Sequence, residues 1–123
     1  MIKKGFIEIK DSSVLAGLMN HKFHPALTEI LVWLADNYGL VMTESFRPAR
    51  HRGDVHSTDP VRAIDIRSRC YDGDQAGEIR DEINDRWQYD SNRPQMRCAL
   101  IHDIGLGVHF HIQVHPNTAK KDF

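Results

Sequence analysis

The feature that most constrains this sequence is an unbroken alternation of apolar and polar residues in the run Gly107–Val114, GVHFHIQV. Such alternation predicts a β-strand with one face in the core, here Val108, Phe110, Ile112 and Val114. The opposite face would display His109, His111 and Gln113, with neighbouring side chains about 6.5 Å apart. Imidazole is a preferred zinc ligand and a proton carrier near neutral pH, so we expect a functional site on this strand.

The remaining pattern predicts an α+β fold in one domain, residues 1–123, with a small antiparallel sheet and helices packed on one side. Apolar residues at helical spacing predict amphipathic helices after His24-Pro25, ending near Gly39, and over Asp74–Gln88. Asp11 is predicted to cap a shorter helix that continues to Leu18. Strands are expected in four further segments: Gly5–Lys10, Leu40–Phe46, Arg62–Arg67 and Met96–Asp103. A turn at Gly105–Gly107 would pair the last two strands as a hairpin.

Composition narrows the functional classes. The net charge is −1, from 16 basic and 17 acidic side chains, which gives no argument for nucleic-acid binding. No apolar stretch is long enough for a signal peptide or a membrane span, so we expect synthesis in the cytoplasm. Cys70 and Cys98 lack CxxC spacing and are expected to be free thiols, although a single disulfide remains an alternative.

A second unusual residue is Asp65, which lies between Ile64 and Ile66 in a predicted strand. Aspartate is disfavoured inside strands, and a buried carboxylate needs a cationic partner or a metal ion. Together with His56 and His111 it would provide two nitrogens and one oxygen, the donor set of a catalytic zinc site with one open position. The alternatives are a salt bridge from Asp65 to Arg47, Arg50 or Arg62, and a turn role for His56.

These residues give the chain a resemblance to the zinc D-Ala-D-Ala carboxypeptidase family, which is grouped with lysostaphin-type peptidases and the hedgehog domain. The resemblance covers about Thr43–Val114, through the segments Ser45-Phe46-Arg47-Pro48, Ala63-Ile64-Asp65-Ile66 and His109-Phe110-His111, with His56 before the second. It implies that His56, Asp65 and His111 bind zinc and that His109 is catalytic. It also implies that Arg47 holds a carboxylate or carbonyl group of the peptide.

The sequence departs from the family pattern in two respects. Eight residues separate His56 from Asp65, where the family usually has six, and Val61 stands at a position usually occupied by glycine. Many members carry an acid three residues before the last ligand, where this chain has Val108. His109 would then supply the proton chemistry, unless Asp103 or His102 reaches the site. Gln113 and Ser45 are expected to hydrogen-bond a ligand or contact the substrate.

The resemblance implies a zinc-dependent peptidase that cleaves stem or cross-link peptides of peptidoglycan. It would be a D-Ala-D-Ala carboxypeptidase or an L-Ala-D-Glu endopeptidase, and its small size fits a phage or prophage lysin acting at the cell wall or periplasm after release. The alternatives are a catalytically inactive module that binds peptidoglycan or protein, and a structural phage protein. The sequence predicts no oligomeric state.

Overall fold

The computed structural model describes residues 2–72, 74–103 and 108–121; the predicted turn at Gly105–Gly107 lies outside them, as do the side chains of His102 and Asp103. The helices are α1 (Ser12–Asn20), α2 (Pro25–Asn37) and α3 (Gln75–Arg86). The strands are β1 (Ile7–Ile9), β2 (Leu40–Glu44), β3 (Ala63–Arg67), β4 (Trp87–Gln88), β5 (Ala99–Asp103), β6 (Val108–Gln113) and β7 (Ala119–Lys120). The predicted α+β class is therefore confirmed.

Five strands form one mixed sheet in the order β1-β2-β3-β6-β5, and β4 pairs with β7 in a separate ribbon. Within the main sheet β2, β3, β6 and β5 are antiparallel neighbours, whereas β1 runs parallel to β2. The predicted antiparallel pairing is therefore confirmed for three of the four strand pairs, and the pairing of β1 with β2 is the exception. The reason is topological: α1 and α2 lie between β1 and β2 in the chain and return it to the same end of the sheet, as a parallel pair requires.

The helix ends follow the predicted capping residues. Asp11 Oδ1 accepts hydrogen bonds from the backbone N–H groups of Ser13 and Val14 at the start of α1. Gly39 ends α2 at φ +77°, a left-handed conformation that disfavours residues with a β-carbon, and its N–H returns to the last turn of the helix. These local signals explain why both boundaries could be read from the sequence.

The core lies between one face of the sheet and the apolar sides of α2 and α3. Phe110 and Ile112 of β6 are fully buried with Ile64 and Ile66 of β3. Val108, which the alternation placed in the core, is instead 54% exposed. Strand β6 extends beyond the core cluster, whose first member on this strand is Phe110, so alternation alone does not bury its first residue.

The two cysteines are free thiols, which confirms the preferred prediction. Cys98 is fully buried, and burial raises the pKa of its thiol to about 12. Among the described residues, no helix combines the length and the apolar character that crossing a bilayer would require.

Candidate metal centre

Strands β3 and β6 bring Asp65 and His111 side by side. The two strands pair with Asp65 opposite His111 and Arg67 opposite His109. Directly opposed residues of an antiparallel pair project from the same face. Because Ile64, Ile66 and Phe110 fill the buried face, these four polar side chains share the other one.

His56 reaches the same place from the long loop between β2 and β3. A short 3-10 turn, Val55–Ser57, holds it, and Asp54 caps that turn by accepting the His56 N–H at 3.1 Å. The His56 side chain is only 1% exposed. Sequence reasoning identified Asp54 only as a turn-forming residue and gave it no place in the site, although an aspartate two residues before a histidine at a turn is a recognisable capping signal.

His56, Asp65 and His111 meet as one cluster, with a ligand atom from each lying within 4.8 Å of the others. Asp65 Oδ1 lies 2.8 Å from His111 Nδ1 and 3.3 Å from His56 Nε2. A tetrahedral zinc ion with bonds near 2.0–2.1 Å separates its ligand atoms by about 3.3 Å. The distance between Asp65 and His56 matches this separation, whereas the distance between Asp65 and His111 is shorter and is that of a direct hydrogen bond.

The hydrogen bonds around His56 fix which of its nitrogens faces the cluster with a lone pair. Its Nδ1 lies 3.0 Å from the carbonyl oxygen of Ser45, which can only accept, so Nδ1 carries the proton. Its Nε2 is buried, faces the Asp65 carboxylate and has no hydrogen-bond partner among the described residues. A buried lone pair aimed at a carboxylate is costly by itself, and a metal ion between the two atoms would satisfy both.

A second chain of hydrogen bonds orients His111 in the same way. The Gln113 amide N–H donates to the carbonyl oxygen of Arg97 at 2.9 Å, which turns Gln113 Oε1 towards His111 Nε2 at 3.1 Å. Gln113 Oε1 and the Asp65 carboxylate can only accept, so Nε2 donates to Gln113 and Nδ1 donates to Asp65 at 2.8 Å. This supports the predicted role of Gln113 as a residue that hydrogen-bonds a ligand. A metal ion bound at Nδ1 would replace the proton on that nitrogen, while Gln113 would keep Nε2 protonated.

Asp65 has the charge state that a metal ligand needs. Burial would raise the pKa of its carboxyl group, but the hydrogen bond from His111 and the close approach of the His56 ring hold that pKa well below its usual range. The alternative of a salt bridge to Arg47, Arg50 or Arg62 is wrong among the described residues, since the ion-pair partners of Asp65 are the two histidines.

Replacing Gln113 with alanine is expected to weaken zinc binding by about 10- to 100-fold, the usual cost of losing a residue that orients a ligand. His111 would lose the Gln113 acceptor that holds the proton on Nε2, so Nδ1 would no longer be selected as the nitrogen that binds the metal. Competition against a chromogenic chelator would measure the affinity. Gln88→Ala is the matched control, because Gln88 is exposed in the separate ribbon. An unchanged affinity in Gln113→Ala would contradict this role.

Ser45 acts on the cluster through its backbone. Its carbonyl oxygen binds His56, while its buried hydroxyl group donates to the Val14 carbonyl oxygen of α1 at 3.0 Å. Ser45 is 1% exposed, which argues against the predicted substrate contact and supports the predicted hydrogen bond to a ligand. The side chain thus fastens α1 to the segment that orients His56.

Replacing Gly17 with alanine is expected to destabilise the fold by about 1–3 kcal/mol through overpacking. A β-carbon there would clash with Ser45 Oγ and would lie 3.1 Å from the backbone nitrogen of Phe46. Gly77→Ala is the control, because its β-carbon would meet only Arg80 Nη2 at 3.7 Å, an ordinary contact. Urea unfolding should show a loss for Gly17→Ala and none for Gly77→Ala; equal stabilities would contradict the tight contact between α1 and Ser45.

Arg47 is held beside the cluster by two acids. Its Nε lies 3.0 Å from Glu44 Oε1, its Nη1 binds Asp54 Oδ2, and its backbone N–H donates to the His56 carbonyl oxygen at 3.3 Å. Two carboxylates therefore already balance its positive charge. Arg50, 64% exposed at its side chain, shares the Glu44 carboxylate.

His109 lies two residues before His111 on the same face of β6, as predicted. Its Nε2 is buried and has no hydrogen-bond partner among the described residues. A buried imidazole nitrogen without a partner is available to a substrate or a proton, although it is not part of the three-residue cluster.

Comparison of the chain with models of protein families, with curated proteins and with solved structures found no match. The resemblance to zinc D-Ala-D-Ala carboxypeptidases thus stays a prediction from the sequence motif. What the structure adds is that the fold brings three potential metal ligands together.

Proposed function

We propose that this chain is a zinc-dependent peptidase that cleaves peptidoglycan stem or cross-link peptides. The observation that carries the proposal is the convergence of His56, Asp65 and His111, whose ligand atoms all lie within 4.8 Å of one another. Two nitrogens and one carboxylate are the protein ligands of many catalytic zinc sites, whereas structural sites are usually closed by four. Zinc held by such a set polarises a carbonyl group and activates water at neutral pH.

The side chains around the cluster suggest a division of labour. His109 would take and return the proton, since its Nε2 has no hydrogen-bond partner within the described part of the chain. Arg47, fixed by Glu44 and Asp54, would steady the carbonyl oxygen of the scissile bond without changing rotamer. Asp65 and His111 are 13% and 12% exposed at their side chains, so a peptide could reach the cluster from solvent.

Substrate class and setting come from the resemblance. The D-Ala-D-Ala carboxypeptidases and related endolysins cut peptides of the bacterial wall, and we propose the same substrate for this chain. A phage or prophage lysin that acts at the wall or periplasm after release fits this proposal.

The direct test is digestion of purified peptidoglycan of several peptide types, with the released fragments identified by mass spectrometry. We expect peptide fragments with zinc present, none after chelation, and recovery when zinc is added back. Zinc should be present at about one ion per chain in the protein as purified. A zinc-loaded protein that releases no fragment from any wall type would refute the peptidase proposal.

A second candidate is a binding module on the same framework without catalysis. It is favoured by Val108, which is exposed and occupies the position where many members of the resembled family have an acidic residue. This candidate predicts that the zinc-loaded protein sediments with peptidoglycan but leaves it intact. A structural phage protein, the remaining alternative, predicts neither binding nor cleavage.

A further inference from the structure

A cationic pocket lies next to the candidate metal centre on the same face of the sheet. It has a volume of about 390 Å³, and its lining includes three basic side chains, from Lys10, Arg67 and Arg69, together with His109. None of the described residues that line it is acidic. Among the described residues none of these three cations forms an ion pair, so their charge is available to an anion.

The strand register sets the distance between this pocket and the metal ligands. Arg67 pairs with His109 across β3 and β6, two residues along from the pair formed by Asp65 and His111. Two residues along a strand span about 6.5 Å. Arg67 in the pocket is therefore about 6.5 Å along the strand from the metal ligand Asp65. His109 lies between the pocket and the metal centre.

That spacing matches a carboxylate on the residue that follows the scissile bond. In an extended peptide the carboxyl carbon of that residue lies about 3.6 Å from the scissile carbonyl carbon. A charged hydrogen bond to a guanidinium group adds about 2.8 Å. The sum is close to the spacing of the two strand positions, so a substrate with its scissile carbonyl at the metal centre would place this carboxylate over the part of the sheet that carries Arg67.

Arg67 is better suited to this contact than Arg47. Arg47 already binds Glu44 and Asp54, so a substrate carboxylate would have to compete with two internal acids. Arg67 is half-buried and lacks such a partner among the described residues, and a partly desolvated arginine binds a carboxylate strongly and with defined geometry.

From these observations we infer that the pocket of Lys10, Arg67 and Arg69 binds the free α-carboxylate of the residue on the leaving side of the scissile bond. The inference rests on the proposed function and deepens it. Two peptidoglycan bonds satisfy the requirement: D-Ala-D-Ala, where this carboxylate is the chain terminus, and L-Ala-γ-D-Glu, where γ-linkage leaves the α-carboxylate free. Amidation of either carboxylate removes the charge.

The test compares two matched peptide pairs against the zinc-loaded protein. One pair is acyl-D-Ala-D-Ala and its C-terminal carboxamide; the other is L-Ala-γ-D-Glu-L-Lys and its isoglutamine form. Binding is measured by protein NMR titration, and hydrolysis is measured separately by mass spectrometry. We expect at least one acid to bind about tenfold or more tightly than its amide, because a charged hydrogen bond contributes about 1.5–3 kcal/mol.

Variants of the pocket residues test whether the pocket causes the preference for the acid over the amide. Arg67→Gln should remove it, whereas Arg67→Lys should keep part of it. Arg69→Gln, at an exposed position, should weaken it without risk to folding. Arg80→Gln on α3 is the control and should behave like the unmodified chain.

The outcomes separate this inference from the proposed function. Equal binding of acid and amide, no binding of either pair at millimolar concentration, or a preference that survives both Arg67→Gln and Arg69→Gln would overturn the pocket assignment. Equal hydrolysis of acid and amide would also overturn the pocket assignment, but it would support the proposed peptidase activity. Charge-selective binding without hydrolysis would support the pocket and refute the peptidase.

Discussion

Replacing His111 with alanine is expected to abolish stoichiometric zinc binding and the proposed peptidase activity. The substitution removes one of three potential ligands and also breaks the path through which Gln113 orients the site. Because loss of an orienting residue alone usually costs 10- to 100-fold in affinity, loss of the ligand should cost more than about 100-fold. Zinc content after passage through metal-free buffer, measured by plasma mass spectrometry, would show the loss directly.

His115→Ala is the matched control for this experiment. His115 lies shortly after β6 and contacts Asp90 at 3.6 Å, away from the three-residue cluster. This variant should retain about one zinc ion per chain and its full activity. If His111→Ala kept as much zinc as His115→Ala, His111 would not be a ligand and the proposed centre would be wrong.

The parts of the fold that could be predicted from the sequence are those set by local pattern. Alternation located β3 and β6, and Asp11 and Gly39 marked helix ends because capping depends on neighbouring backbone groups. The cluster was also predictable, since His56, Asp65 and His111 occur in the order and chemistry of a zinc set. Alternation alone misjudged Val108, because burial depends on what packs over a residue.

The parts that could not be predicted depend on contacts between distant segments. The parallel pairing of β1 with β2 follows from the path of two helices, not from any residue in β1. The acids that bind Arg47 and the carbonyl group that turns the Gln113 amide become neighbours only in the folded chain. The same holds for Lys10 and Arg67, which lie far apart in sequence and line one pocket.

Replacing His109 with alanine is expected to lower kcat by about 10²- to 10⁴-fold while zinc binding stays stoichiometric. The range is that of a lost general acid or base. His109 is not one of the three potential ligands, and its buried Nε2 has no partner among the described residues, so its removal should leave the metal centre assembled. Turnover of the preferred peptide and zinc content would be measured on the same preparation.

The pH dependence of the residual activity distinguishes a proton-transfer role from a structural one. If His109 is the general base, the limb of the pH–rate profile that reflects its titration should disappear in His109→Ala. A structural defect would instead lower activity equally at every pH. Val108→Ala is the control, because Val108 is the exposed neighbour and should leave the profile unchanged. If His109→Ala stayed active with an unaltered pH–rate profile, a group other than His109 would carry out the proton transfer. Since Val108 supplies no acid, that group would have to come from outside β6, and Glu44, which pairs with Asp65 across β2 and β3, would be the next residue to replace.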